Sequence, residues 1–152
     1  MDFNDLSFDE LDQHAMEQLV FDEGEMAPIL KGHIFIEKVL ETLLSNNLSS
    51  PAAFLKRPRS FDLKCDLVLA MGLIDEKHYS AFKKINRIRN NFAHKHDYSV
   101  SVEEISGMKF EWEGAQDQAF QVACSKGPGE AVKIATLFLC WKAIRLIKNP
   151  SV

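Results

Sequence analysis

Between Lys83 and Tyr98 the chain crowds cations, amides and imidazoles into one stretch, Lys83-Lys84-Ile85-Asn86-Arg87-Ile88-Arg89-Asn90-Asn91-Phe92-Ala93-His94-Lys95-His96-Asp97-Tyr98. Arginine offers a permanent planar cation suited to phosphate, and histidine titrates near neutrality and passes protons. Together they are the parts needed for phosphodiester chemistry. Spacing limits how they cooperate. Five residues turn an ideal helix about 140° beyond a full turn. Arg89 and His94 therefore share a site only if the helix breaks near Ala93 or a second subunit contributes one of them. Arg87 and His94 do share a face. A plainer reading stands beside this one: Arg89 and Asn90 cap carbonyls or pair with Asp97 or Glu104, and His94 ends the helix.

No other stretch offers comparable chemistry. GxxxxGK[ST], GxGxxG, HExxH and GxSxG are all absent from the sequence, which sets aside nucleotide hydrolysis, dinucleotide binding, zinc proteolysis and the commonest serine hydrolases. His14, His33 and His78 stand singly, without carboxylate or cysteine at ligand spacing, so neither a metal nor a cofactor is expected. Cys65, Cys124 and Cys140 are odd in number and far apart, and read as buried thiols.

The elements that position the cationic stretch follow from periodicity. Tyr79, Phe82, Ile85, Ile88 and Phe92 recur at three- and four-residue steps and predict a helix to about Asn90, capped by Asp75. Upstream, Ser7 and Glu10 form a capping-box pattern ahead of Phe8, Leu11, Ala15 and Leu19, a short amphipathic helix. Pro28 is placed to begin a core helix ending near Asn47, and residues 46–60 read as a loop holding Lys56, Arg57 and Arg59. A helix from Phe61 to Met71 ends at Gly72, and Ser101 with Glu104 caps a short turn. Met108, Phe110 and Trp112 alternate, as do Phe120, Val122 and Cys124, with turn residues 114–118 between them, which predicts a β-hairpin. Residues 130–148 return to a helix that is apolar nearly all round, in the core or at a subunit contact; Trp112 and Trp141 read as core or interface residues.

The expected fold is therefore mainly α, a bundle of about five helices with a small β-hairpin before the last. The chain's 152 residues and 46% hydrophobic content suit one domain with a real core. The division is an acidic arm with a short helix over residues 1–25 and a single helical domain over 26–150. The arm carries Asp2, Asp5, Asp9, Glu10, Asp12, Glu17, Asp22, Glu23 and Glu25 with no Lys or Arg. It either solvates the domain's flank or shields a basic site. A net charge of −4 gives no overall attraction to nucleic acid or anionic membrane, so any polyanion site is local. Without a secretory signal or a spanning segment, a cytoplasmic location is expected and no membrane partner. No exposed basic recognition helix follows a turn, so direct sequence-specific DNA binding is not expected.

The string from Arg89 to His94 is similar to the Arg–x(4–6)–His motif of the HEPN superfamily, including the polar residue after the arginine, here Asn90. The wider stretch from Ser60 to His94, SFDLKCDLVLAMGLIDEKHYSAFKKINRIRNNFAH, resembles the corresponding helix pair of the mannitol-repressor (MltR-like) family. Together the resemblance spans roughly residues 31–98. The HEPN likeness implies a homodimer whose two motifs form one metal-independent endoribonuclease site. His94 would be general acid or base at the ribose 2′-hydroxyl, Arg89 would stabilise charge on phosphate, and Asn90 would orient them. Arg87, Lys56, Arg57, Arg59, Lys95 and His96 would hold RNA phosphates. HEPN toxins governed by a nucleotidyltransferase often carry tyrosine two residues after the histidine; here that position is His96, and Tyr98 lies two further on. The MltR-like resemblance implies instead a transcriptional regulator of mannitol-type sugar-uptake genes, acting through protein partners without catalysis.

Overall fold

The computed structural model describes residues 2–19, 26–95, 97–106, 108 and 112–148. Among them the order is a single 3₁₀ turn, Phe3–Asp5, then α1 (Phe8–Leu19), α2 (Met26–Asn47), α3 (Pro51–Leu55), α4 (Phe61–Ala70), α5 (Glu76–His94), α6 (Val102–Ser106), α7 (Gly114–Lys126) and α8 (Pro128–Ile147). The sequence marks most of the starts. Ser7 Oγ accepts from Glu10 N at 3.2 Å while Glu10 Oε2 accepts from Ser7 N at 3.3 Å, the reciprocal box that opens α1. Ser60 Oγ accepts from Leu63 N to cap α4, and Asp75 Oδ1 accepts from His78 N to cap α5. Gly72 ends α4 with φ 72°, a left-handed value that suits a residue without Cβ.

Helix α2 is the hinge of the packing. One side meets α8, which α1, α6 and α7 also contact; the other meets α5 and α4. Leu11, Ile29, Ile36, Leu40, Ile85, Ile105, Met108 and Leu139 have no exposed surface, so one core runs through both halves. Gly32 permits the α2–α8 approach, because a Cβ there would stand 2.1 Å from Thr136 Cγ2. Phe138 and Phe120 meet Trp112 edge-on at 5.3 and 5.0 Å, and Phe138 lies against Trp141 at 5.1 Å, which makes both tryptophans part of the core wall.

Among the described residues the bundle has eight α-helices instead of about five, and it differs from expectation in four further places. Among the described residues there is no strand: Phe120, Val122 and Cys124, expected in a hairpin, lie in α7, and residues 109–111 fall outside the description. Glu113 and Gln116 form a capping box, and Phe120 and Ala123 face inward at helical spacing while Val122 stands 55% exposed. The period-2 pattern was incidental to a period-3.6 face. Second, the expected loop over residues 46–60 contains α3, with Pro51 at its start. Third, α2 begins at Met26, two residues before Pro28, and α8 begins at Pro128. Only Gly127, at φ 124°, separates α7 from α8. Fourth, Cys124 is partly exposed, whereas Cys65 and Cys140 are buried, and burial pushes the Cys65 thiol up to about 12.

Candidate groove between α2, α4 and α5

Helix α5 turns Ala81, Phe82, Ile85 and Ile88 into the core and continues unbroken to His94, where Lys95 N donates to Asn91 O at 2.9 Å. The helix therefore does not break near Ala93, and Arg89 and His94 stay about 140° apart around its axis. Arg89 and Asn90, both half-buried, face a groove of about 420 Å³ between α2 and α5, closed at one end by the start of α4. Arg59, Ser60 and Phe61 form that end, and Leu30 and Ile34 form the α2 wall. The contacts His33–Phe61 and Glu41–Lys64 set α2 parallel to α4, and Asn86–Asp62 and Tyr79–Asp66 set α5 antiparallel to α4, so α2 and α5 run antiparallel.

Beside the arginines lies a chain of side chains that is buried at His33 and Asn86 and open to solvent at Asp62. Asp62 Oδ1 can only accept, so Asn86 Nδ2 donates to it at 2.8 Å; this turns Asn86 Oδ1 towards His33, whose Nε2–H donates to it at 2.8 Å. The network thus assigns the imidazole its Nε2–H tautomer. His33 stacks on Phe61 with centroids 4.2 Å apart. Burial holds its pKa below the usual value despite the Asn86 hydrogen bond, and the Arg89 charge pushes the same way.

Carboxylates around the groove are engaged. Glu37 lies 3.5 Å from Lys64, which also holds Glu41 at 2.9 Å, and Asp62 lies 3.3 Å from Lys83, which holds Asp66 at 2.9 Å. Desolvation opposes charge on Lys83, but its hydrogen bonds to Asp66 and Asp62 win, and its pKa is raised. Arg59 is different: its Nε–H donates to the Phe54 carbonyl at 3.0 Å and its guanidinium lies 5.1 Å from the Phe54 ring centre. Arg89 donates to the Asn90 side-chain oxygen at 3.2 Å. Neither pairs with a carboxylate among the described residues. Glu104, one alternative partner, accepts instead from the Tyr98 hydroxyl and the Ser101 N–H.

The expected site residues are therefore dispersed. Arg59, Arg89 and Asn90 meet in the groove. Lys56 and Arg57 edge a neighbouring hollow with Glu41 and Lys64, and Arg87 lines another with Tyr79, Lys83 and Lys84. His94 and Lys95 are exposed at the far end of α5, and His96 lies outside the described residues. Single-residue reading missed His33, Asn86 and Asp62. A signal existed for Asn86, which falls four residues after Phe82 on the inward face; for His33 it was a polar side chain inside an otherwise apolar helix face. Among the described residues no group of three His, Cys, Asp or Glu is placed to hold a metal ion, and no helix is long and apolar enough to cross a membrane.

The all-helical bundle is shared with proteins of known structure. Two solved structures carry it. One is the possible transcriptional regulator YggD from Shigella flexneri, at TM-score 0.70 and 12% identity, over 90% of this chain and 96% of that one. The other is MtlR in its complex with HPr from Escherichia coli, at TM-score 0.61 and 12% identity, over 91% of this chain and 99% of that one. No family model matches the chain, and no curated protein matches it in sequence.

Proposed function

We propose that this chain is a transcriptional regulator that acts by holding a protein partner, without catalysis, in the control of mannitol-type sugar-uptake genes. The observation that carries the reading is the likeness, over nine-tenths of the chain, to a protein solved in complex with HPr. Site geometry supports it against RNA cleavage. Within one chain Arg89 lines the groove while His94 projects to solvent from another face of the same unbroken helix, so proton transfer and charge stabilisation act at different places. A HEPN-type ribonuclease would need a homodimer that brings the His94 of a second copy to Arg89.

Calorimetric titration with purified HPr tests the proposal, alongside incubation of the chain with mixed single-stranded RNA in EDTA. Saturable HPr binding with intact RNA is the expected result. Absence of binding, together with metal-independent cleavage that leaves a 2′,3′-cyclic phosphate and disappears in both Arg89→Ala and His94→Ala, would replace this reading with the ribonuclease.

A further inference from the structure

We propose that the groove between α2, α4 and α5 binds a small ligand carrying an oxyanion, a phosphate or a carboxylate, clamped between Arg59 and Arg89. The inference does not depend on the regulator reading, since a partner protein and a small ligand need not share a surface.

The donors decide it. Two guanidiniums, each a planar fork matched to an oxyanion, line one cavity and lack a carboxylate partner among the described residues. Both are half-buried, where an unpaired cation keeps more of its pull on an anion than it would in bulk water. Arg59 is held by the Phe54 carbonyl and ring, and Arg89 is held by Asn90, so the clamp is set before any ligand arrives. The His33–Asn86–Asp62 hydrogen-bond chain, buried at His33 and Asn86, fixes this wall of the cavity, and Asp62 accepts from Asn86 and pairs with Lys83. A volume of about 420 Å³ suits a small organic molecule. Ile34, 64% exposed on the α2 wall, offers apolar surface for the ligand's carbon body. Glu37 and Asp62 are the opposing features: both line the same cavity, and each negative charge is only partly offset, because Lys64 also serves Glu41 and Lys83 also serves Asp66.

Amide NMR titration of the full chain with inorganic phosphate, phenyl phosphate and benzoate tests the site, at constant chloride ionic strength. Expected are saturable shifts confined to the groove, around Ile34, Asn86, Arg89 and Asn90, with phenyl phosphate tighter than inorganic phosphate. The ratio of phenyl phosphate to benzoate affinity then tells the two head groups apart. Arg59→Gln and Arg89→Gln should each weaken binding about tenfold or more, the loss of a charge-assisted hydrogen bond. Arg89→Lys keeps the charge without the fork and should fall between. Glu37→Gln should bind roughly a few-fold tighter, a gain that misfolding does not mimic, and Lys126→Gln should match wild type. Shifts that rise without saturation, or that scatter over Lys56, Arg57 and Lys95, overturn the site; so do unchanged affinities in variants whose ligand-free melting matches wild type.

Discussion

His33 is closed in by Phe61 on its face and Asn86 at its edge, with Glu37, Asp62 and Arg89 as the charges around it. Its folded-state pKa lies below the unfolded value of about 6.5, so the folded chain binds fewer protons there than the unfolded chain. The stability this contributes is present above that value and is lost as pH falls through it towards the folded pKa. Urea denaturation across that window should therefore show a steeper acid-side loss for wild type than for His33→Gln, which has no imidazole to titrate. Parallel curves would refute the assignment. At neutral pH His33→Leu should cost about 1–3 kcal/mol, because it leaves the buried Asn86 carbonyl oxygen without its donor.

Among the elements, α2 and α8 share the most extensive contact, and Gly32 lets them pack tightly there. Gly32→Ala gains about 1 kcal/mol of helix propensity but places a methyl 2.1 Å from Thr136 Cγ2, inside any van der Waals separation. Overpacking of this kind costs about 1–3 kcal/mol, so a lower melting temperature is expected. Thr136 is fully buried and its hydroxyl has no hydrogen-bond partner among the described residues. Thr136→Ala removes both the clashing methyl and the unpaired oxygen, and the double variant should regain most of the lost stability. A double-mutant cycle measures this directly: additive losses would mean that the two helices separate instead of meeting at this pair. Helix α8 explains itself at the same scale. Its nearly all-round apolar pattern is used up within the chain by α2, α7, α1 and α6, so it gives no reason of its own to expect a dimer.

For the molecule as a whole, charge is the feature that bears on partners. The chain carries −4 in total, and the exposed cations expected at phosphates, Lys56, Arg57, Arg87 and Lys95, are divided among separate hollows and a helix end. Affinity for a nucleic-acid backbone grows with the number of phosphates neutralised together. A gel-shift assay at physiological salt should find no retention of duplex DNA. A sequence-specific shift with a steep salt dependence would show instead that the chain reads an operator itself.

From the sequence alone came the helical character, the caps at Ser7, Asp75 and Ser101, the apolar face of α5 and the clustering of cations. All are local: a cap needs one side chain and a nearby N–H, and a helix face needs only its period. The same locality misled at residues 114–126, where alternation over five residues resembled a strand until packing against α8 selected the helical face. Tertiary structure alone decided which cations are neighbours. Arg59 and Arg89 are thirty residues apart in the chain and share one groove, whereas Arg89 and His94 are five apart and do not. The reason is geometric. A rigid helix fixes the angle between its own residues, while antiparallel packing of α2 on α5, with α4 across the end, brings distant segments to the same few ångströms.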